Sequence, residues 1–185
     1  FLTGSVSLFA SEIQRFFFIN SSINSYVRIP DLLELYGNQG NYIGNPDLRP
    51  EEGIQGEISL KYVPPQIGLI DVSSGVTSFW NPSQNRIVWV QNSQNTMRTV
   101  NIGDTWVQGF EAFVNLSLFD MLQSNTQMTY NHSVNLTEDI LVANKKIPRI
   151  PKWQLSQSLE FRLPLDLQIT YDYQFVSNNY WDEAN

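Results

Sequence analysis

Apolar and polar residues alternate along most of this chain with the two-residue period of a β-strand that has one apolar and one polar face. The clearest stretch is 110–118, where Phe110 and Val114 occupy even positions and Glu111 and Asn115 occupy odd ones. No long helix is predicted. The pattern predicts about eight strands, at 2–10, 15–24, 51–62, 69–80, 110–118, 126–135, 153–162 and 167–175.

The connections between these strands are alternately short and long. Short reversals are predicted near 11–14, 63–68, 119–122 and 163–166, and long connections at 25–50, 81–105 and 137–152. Every second connection is therefore long.

Two smaller elements are predicted inside the long connections. Residues 31–36 are expected to form one helical turn. After an interruption at 81–85, residues 86–91 and 96–100 flank a polar turn, which indicates a hairpin.

Strands of about nine to eleven alternating residues, joined by short turns at one end and long loops at the other, are typical of a transmembrane β-barrel. Backbone groups cannot stay unpaired in hydrocarbon, so such strands must close into a barrel. We therefore expect an all-β fold, an antiparallel transmembrane β-barrel segment, with its apolar face towards lipid and its polar face towards the lumen.

Aromatic residues are expected to form a girdle at each membrane interface. Those beside short turns are Phe16, Phe17, Tyr62, Phe119 and Phe161, and those near long loops are Trp80, Trp106 and Trp153. The alternative fold is a soluble β-sandwich, which also alternates. Polar faces of Gln, Asn, Ser and Thr with few charges favour a lumen over an open surface.

Composition agrees with a sheet that has two unlike faces, since 13% of residues are aromatic although the mean hydropathy is −0.24. The formal net charge is −7 and the basic residues are scattered, which argues against nucleic-acid binding.

Without cysteine the chain has neither disulfides nor thiolate metal sites. Because its 185 residues begin at Phe1 with no signal sequence, we expect a piece of a longer protein.

No catalytic constellation is present in the sequence, and we expect neither an enzyme nor a bound cofactor. The single histidine, His132, lies in the apolar register and is expected to have an interfacial structural role. Lys145, Lys146 and Arg149 stand in the third long connection, where we expect a solvated loop in preference to contact with lipid phosphates at a membrane surface.

Three sequence motifs, which follow one another in a fixed order, indicate fold and function more specifically than the alternation of apolar and polar residues does. Tyr26–Pro30 comes first, then Glu34–Gly37, then Gly44–Glu51. Asn101–Gly103 with Gly109–Glu111 and the proline-rich 147–153 follow. Together they resemble the barrel region of TonB-dependent outer-membrane receptors. The motif residues singled out as structural are Arg28, Pro30, Asn45, Pro46, Leu48, Pro50, Glu51, Gly109 and Glu111.

The resemblance implies a fold and a location. In that family an N-terminal plug fills a 22-stranded barrel, so residues 1–185 would supply roughly strands twelve to nineteen. The plug, the TonB box, the early strands and the last strands would lie outside this chain. The protein would be a multi-pass protein of the cell outer membrane.

The resemblance also implies a function, active import of a scarce nutrient such as a ferric siderophore or cobalamin. Its partners would be that ligand, the TonB complex acting through the plug, and outer-membrane lipid and lipopolysaccharide. Haem-transporting members carry a histidine between the first and third motifs, but 31–44 contains none, which disfavours haem. Two other functions remain open, a passive porin-like barrel and a soluble β-rich binding module.

Residue parity makes one geometric prediction about the motifs. Glu51 shares parity with Glu57 on the polar face, and Arg28 shares parity with Asn24. We therefore expect Arg28 and Glu51 to point into the lumen at the outer ends of adjacent strands and to pair, unless a bulge after Asn24 reverses the parity.

Overall fold

The computed structural model describes residues 5–14, 16–92, 94–137 and 143–180. Its elements follow in chain order: β1 (Ser5–Gln14), β2 (Phe17–Arg28), α1 (Leu32–Tyr36), β3 (Asn38–Gln39), β4 (Tyr42–Ile43), β5 (Glu51–Tyr62), β6 (Ile70–Gln84), β7 (Arg86–Gln91), β8 (Met97–Ile102), β9 (Thr105–Leu118), β10 (Leu122–Asn135), β11 (Trp153–Leu163) and β12 (Leu167–Val176).

Eight of these strands form one antiparallel sheet in the order β1-β2-β5-β6-β9-β10-β11-β12. Each strand pairs with the next long strand along the chain, which confirms the predicted antiparallel arrangement. The sheet is open, with β1 and β12 at its two edges.

The cross-strand register gives the sheet two chemically distinct faces. One row of partners is apolar across seven strands and defines the apolar face: Ile19, Leu60, Val76, Ala112, Met128, Leu155 and Phe175. The row beside it defines the polar face: Asn20, Ser59, Thr77, Glu111, Thr129 and Gln154. The apolar face is uncovered, since Ile58 and Val114 are about half exposed.

The two ends of the sheet differ in how the strands are connected. The turns at 119–121 and 164–166 have three residues each, and two successive residues of each turn, Phe119 and Asp120 or Leu165 and Asp166, have positive φ between 55° and 70°. Turns with two positive φ angles match the right-handed twist of the strands that they join. We call this end the short-turn end, and the opposite end the long-loop end.

The long connections form a second structure at the long-loop end. The first contributes α1, β3 and β4, and the second contributes the predicted β7–β8 hairpin. These strands form a four-stranded sheet in the order β3-β4-β8-β7, where β4 and β8 run parallel. We call residues 31–50 together with 85–102 the loop module.

The main buried cluster lies between the loop module and the polar face. Ile102 of β8, Val107 of β9 and Ile147 of the third long connection are each at most 7% exposed. Val88, Val100 and Phe79 pack against them. Because Val107 and Phe79 occupy polar-face positions, the loop module folds over the polar face and covers its outer end.

Three predicted boundaries were wrong. The turn predicted at 11–14 lies within β1, which continues to Gln14 across a register shift. β2 ends at Arg28 and not at residue 24. β6 runs through Pro82, although its pairing with β5 is interrupted there because proline gives no N–H to the ladder. Pairing with β9 continues past Pro82 and keeps the strand extended.

The other predicted elements were confirmed, with bounds that differ by no more than five residues at either end, and the helical turn at 31–36 is α1. Residues 2–4 and 15 of the predicted strands and 138–142 of the third long connection lie outside the described residues. Across the part that is described, no helix is long and apolar enough to cross a membrane.

Candidate functional site

Arg28 and Glu51 are direct cross-strand partners at the long-loop end, where β2 ends and β5 begins. Pairing of the two strands is continuous from Phe17 to Arg28, so no bulge reverses the parity. Arg28 Nε donates to Glu51 Oε2 at 3.3 Å. Both side chains lie on the polar face, as predicted, and Glu51 is only 6% exposed.

Arg28 also binds the helix of the first long connection. Its Nη1 lies 3.0 Å from both carboxylate oxygens of Glu34, and its Nη2 donates to the carbonyl oxygen of Ile87 at 3.3 Å. One guanidinium therefore ties β2 to α1 and to β7, since its several N–H donors point in different directions.

Glu34 is fixed by the start of its own helix. Asp31 is the N-cap and accepts a hydrogen bond from the Glu34 amide at 2.7 Å, while Glu34 accepts one from the Asp31 amide at 2.9 Å. This reciprocal capping box holds the Glu34 carboxylate beside Arg28.

Glu51 uses both carboxylate oxygens. Oε1 accepts from the Tyr26 hydroxyl at 2.9 Å, and Oε2 accepts from the backbone amide of Ile87 at 3.2 Å in addition to Arg28. A carboxylate buried this deeply is stable only when it is paired and hydrogen-bonded, and here three donors satisfy it.

The Gly44–Glu51 motif forms the turn that joins the loop module to β5. Asn45 accepts from the Asp47 amide at 3.1 Å and donates through Nδ2 to the Thr99 carbonyl oxygen at 3.1 Å. Thr99 is fully buried and donates through its hydroxyl to the Glu34 carbonyl oxygen at 2.8 Å. Asn45 and Thr99 thereby hold the two long loops against each other.

Asn101 makes a second connection between the two loops. Its Oδ1 accepts from the Arg49 amide at 2.8 Å, and its Nδ2 donates to the Arg49 carbonyl oxygen at 3.0 Å and to that of Asn85 at 2.7 Å. The amide side chain of Asn101 thus binds both backbone groups of Arg49, as a neighbouring β-strand would.

The remaining motif residues of this region do not join the hydrogen-bonded cluster. Pro30 is buried between β2 and α1, whereas Pro46 and Pro50 are exposed and Leu48 is half-buried. The prolines restrict the backbone on both sides of the turn, because proline fixes its own φ and disfavours helix in the preceding residue.

Gly109 and Glu111 lie apart from this cluster, in the middle of the sheet. Gly109 is the cross-strand partner of Phe79, and a Cβ there would lie 2.8 Å from Phe79 Cζ and overlap the Tyr130 carbonyl oxygen. Glu111 lies on the polar face between Thr77 and Thr129.

The arrangement holds the two long loops against the ends of β2 and β5. Arg28, Glu34 and Glu51 satisfy one another, and no group of three or more metal-binding side chains occurs in the described residues. The outside of the loop module forms an exposed surface at the long-loop end. Its exposed side chains include Leu32, Tyr36, Tyr42 and Ile43.

Sequence reasoning missed the roles of Tyr26 and Thr99. Tyr26 belongs to the first motif and shares the parity of Arg28, and this register could have placed its hydroxyl near Glu51. The contact of Thr99 depends on how the two loops fold, and no local pattern marks it. Glu34 had a usable signal, since Asp31 and Glu34 stand in the spacing of a capping box.

Solved structures share this fold at low sequence identity. The copper transporter OprC aligns over 98% of this chain and 27% of its own, with a TM-score of 0.73 and 16% identity. The siderophore receptor PiuA from Acinetobacter baumannii aligns over 100% and 27%, with a TM-score of 0.71 and 20% identity. A ferric enterobactin receptor from Pseudomonas aeruginosa, in complex with enterobactin, aligns over 95% and 28%, with a TM-score of 0.67 and 19% identity.

Among curated proteins, an iron-regulated outer membrane virulence protein of Vibrio cholerae is 24% identical over 162 residues, which cover 78% of this chain. The match covers 24% of the length of that relative, so this chain spans about a quarter of it. The family model described as TonB dependent receptor-like, beta-barrel, matches residues 8–185. The chain therefore belongs to the family of TonB-dependent receptor-like β-barrels.

Proposed function

We propose that this chain is part of the barrel wall of an outer-membrane active transporter, which binds a scarce nutrient at its extracellular loops and imports it with TonB-derived energy. The long-loop end is then extracellular, the apolar face meets lipid and the polar face lines the lumen. The whole barrel has 22 strands, and the plug and the remaining strands are supplied by other parts of the same protein.

The observation that carries this proposal is the position of the loop module over the polar face. A porin needs a water-filled channel that stays open along its lumen. Here Ile102 and Ile147 pack onto Val107 and cover the outer end of β9 on the polar face. Loops that fold over the proposed lumen side fit a transporter that releases its ligand inwards only after a change of state.

The ligand is proposed to bind on the outside of the loop module. Tyr42 packs edge-on against Trp89, with ring centroids 5.5 Å apart, and Tyr36 is 68% exposed. Rings held in a rigid frame give a large contact area at a low cost in conformational entropy. The named neighbours include siderophore receptors and a copper transporter, which supports a metal complex such as a ferric siderophore as the first class to test.

The partners follow from this mechanism. The nutrient ligand contacts the loops, the TonB complex acts on the plug, and lipid and lipopolysaccharide surround the apolar face. No step of the proposed cycle requires this chain to make or break a covalent bond, so the protein is a transporter and not an enzyme.

Growth of a deletion strain tests the proposal. Cells that lack the gene should lose growth on at least one ferric siderophore supplied as the only iron source, and a plasmid copy of the full-length gene should restore it. Removal of TonB should abolish the restored growth. Growth that survives the loss of TonB, together with ion conductance in planar bilayers, would instead identify a passive porin. Folding of the full-length protein without detergent would identify a soluble module.

A further inference from the structure

The outer edge of β7 presents backbone groups that no neighbouring strand of the loop module binds. β7 is the last strand of the four-stranded sheet and pairs with β8 on one side only. The Asn92 amide continues that ladder and donates to the Thr96 carbonyl oxygen at 2.9 Å. Because backbone groups alternate in direction along a strand, those of Ile87, Trp89 and Gln91 point away from β8.

Two side chains already bind this edge at Ile87. The Ile87 amide donates to Glu51 Oε2 at 3.2 Å, and the Ile87 carbonyl oxygen accepts from Arg28 Nη2 at 3.3 Å. A carboxylate and a guanidinium thus pair with Ile87 as the backbone of an added strand would. These bonds agree with the outward direction of the odd-numbered residues.

The next two outward residues, Trp89 and Gln91, have no such partner. In the described part of the chain no donor or acceptor meets their backbone groups. Edge strands are commonly protected by charged side chains, proline or a bulge. Residues 87–91 are uncharged and contain no proline, and their pairing with β8 has no register shift. The edge is therefore a template for an additional extended backbone.

The surroundings of the edge favour a partner that is not cationic. Residues 85–103 contain Arg86 and Arg98 and no carboxylate, so a cationic ligand would be repelled. The Trp89 ring packs against Tyr42 on one face of the sheet, with centroids 5.5 Å apart. On the other face, Val90 is the cross-strand partner of Arg98. A backbone added at this edge would therefore meet an aromatic ring on one face and an arginine on the other.

We infer that the open edge of β7 binds the peptide backbone of the ligand, so that the ligand is a metal complex built on a short extended peptide. The inference deepens the proposed function and rests on it, because it places the ligand on the outside of the loop module. Trp89 and Gln91 each provide one N–H and one carbonyl group, which match about three residues of an extended chain. A peptide supplies acceptors and donors in the same alternation.

The first test uses the full-length protein purified in detergent and two probes that differ only in their backbone amides. One probe is the ferric complex of a linear tripeptide of Nδ-acetyl-Nδ-hydroxyornithine, and the other is the same complex with N-methylated backbone amides. A site that recognises only the iron and its hydroxamates binds both equally. Isothermal titration calorimetry should give the unmethylated complex an affinity about tenfold to a hundredfold higher, as the loss of about two hydrogen bonds predicts. Equal affinity, or no saturable binding of either probe, would overturn the inference.

Hydrogen–deuterium exchange locates the contact without a variant. The amides of Trp89 and Gln91 should exchange about tenfold more slowly when the unmethylated complex is added. Those of Val88 and Val90 provide an internal control, since they already pair with β8 and should not change. Slow exchange of Trp89 and Gln91 before any probe is added would mean that another segment of the protein covers the edge, and this result would also overturn the inference.

Two substitutions of Gln91 separate its backbone from its side chain. Gln91→Pro removes the outward amide and Gln91→Ala keeps it, while both lose the side-chain hydrogen bond to Asn95. Proline is tolerated where the amide of an edge strand points outwards. Gln91→Pro should weaken binding of the unmethylated complex about threefold to tenfold, and Gln91→Ala should not change it. Equal affinities in the two variants would contradict a backbone contact, and the comparison of the two probes stands even if Gln91→Pro does not fold.

Growth assays distinguish this inference from the proposed function. TonB-dependent growth on a ferric siderophore, together with equal affinity for the two probes, refutes the peptide contact alone. Loss of the gene without any effect on growth on ferric siderophores refutes the proposed function.

Discussion

Arg28 and Glu51 face each other across the last pair of β2 and β5, with Nε 3.3 Å from Oε2, and they fix the loop module to the sheet. The same arginine reaches Glu34 in α1, and the same glutamate reaches the Ile87 amide in β7. Each of the two long loops is therefore bound to a strand end through one charged pair. The loop module is positioned by the sheet and not by its own small core alone.

Replacing Arg28 should loosen this attachment. Arg28→Met leaves Glu51 buried with one cation fewer, and we expect a loss of about 1–3 kcal/mol in the free energy of unfolding. The measurement is urea titration of the full-length protein in detergent, with the folded fraction read from its gel mobility before heating.

A surface pair provides the control for that variant. Arg162 donates to Glu160 at 2.8 Å, but the side chains are 55% and 25% exposed, so Arg162→Met should cost less than about 1 kcal/mol. Equal losses in Arg28→Met and Arg162→Met would show that burial of Glu51 contributes nothing.

The hydroxyl of Tyr26 should contribute separately. Tyr26→Phe removes the 2.9 Å hydrogen bond to the buried Glu51 carboxylate and should destabilise by about 1–2 kcal/mol. Tyr62→Phe is the matched control, since that ring lies at the other end of the sheet and packs on Phe17 at 4.7 Å. We expect Tyr62→Phe to change stability by no more than about 0.5 kcal/mol. If Tyr26→Phe left the free energy of unfolding unchanged, the hydrogen bonds from Arg28 and Ile87 would be enough to stabilise the buried Glu51 carboxylate.

Parity explains why the sequence predicts the Arg28–Glu51 pair but not its surroundings. Strand pairing with a period of two determines which residues share a face, and the uninterrupted β2–β5 register makes these two residues direct partners. The bonds from Thr99 to Glu34 and from Arg49 to Asn101 join positions 65 and 52 residues apart. Such contacts depend on how two loops pack on each other, and no periodicity encodes that.

Pro82 shows a second reason why prediction failed. When only the local sequence is considered, proline is expected to end a strand. Residues 81–85 were therefore expected to interrupt β6. The neighbouring strand β9 pairs with β6 on its other side through Ser83, and this tertiary pairing keeps the chain extended. Local propensity was overridden by the sheet.

Loss of the Asn101 side chain should destabilise the loop module more than the sheet. Asn101→Ala leaves the Arg49 amide and carbonyl without their partner, so we expect the Arg49 amide to exchange its hydrogen about tenfold faster. Asn115→Ala is the control, because that side chain makes a single hydrogen bond to Ser73 at 3.2 Å within the sheet. Hydrogen–deuterium exchange with mass spectrometry of 47–50 distinguishes the two variants. Unchanged exchange in Asn101→Ala would contradict a structural role for this amide.

Gly109 and Gly75 allow a comparison of two alanine substitutions. Both glycines lie beneath an aromatic ring, but the methyl group of alanine would meet different atoms at the two positions. At Gly75 the nearest atoms belong to the Phe113 ring, at 2.6 and 3.0 Å, whereas at Gly109 the added Cβ overlaps the backbone carbonyl of Tyr130. A side chain can move and a paired strand cannot, so Gly109→Ala should lower the free energy of unfolding by more than about 3 kcal/mol.

A double-mutant cycle separates these two cases. Gly75→Ala should cost less in a Phe113→Leu background than in the wild type, because the smaller side chain makes room for the methyl group. Gly109→Ala should cost the same with or without Phe79→Leu, because removing the ring leaves the Tyr130 carbonyl in place. Urea titration of the refolded full-length protein gives all the values. Rescue of Gly109→Ala by Phe79→Leu would show that the ring, and not close approach of the two strands, requires glycine there.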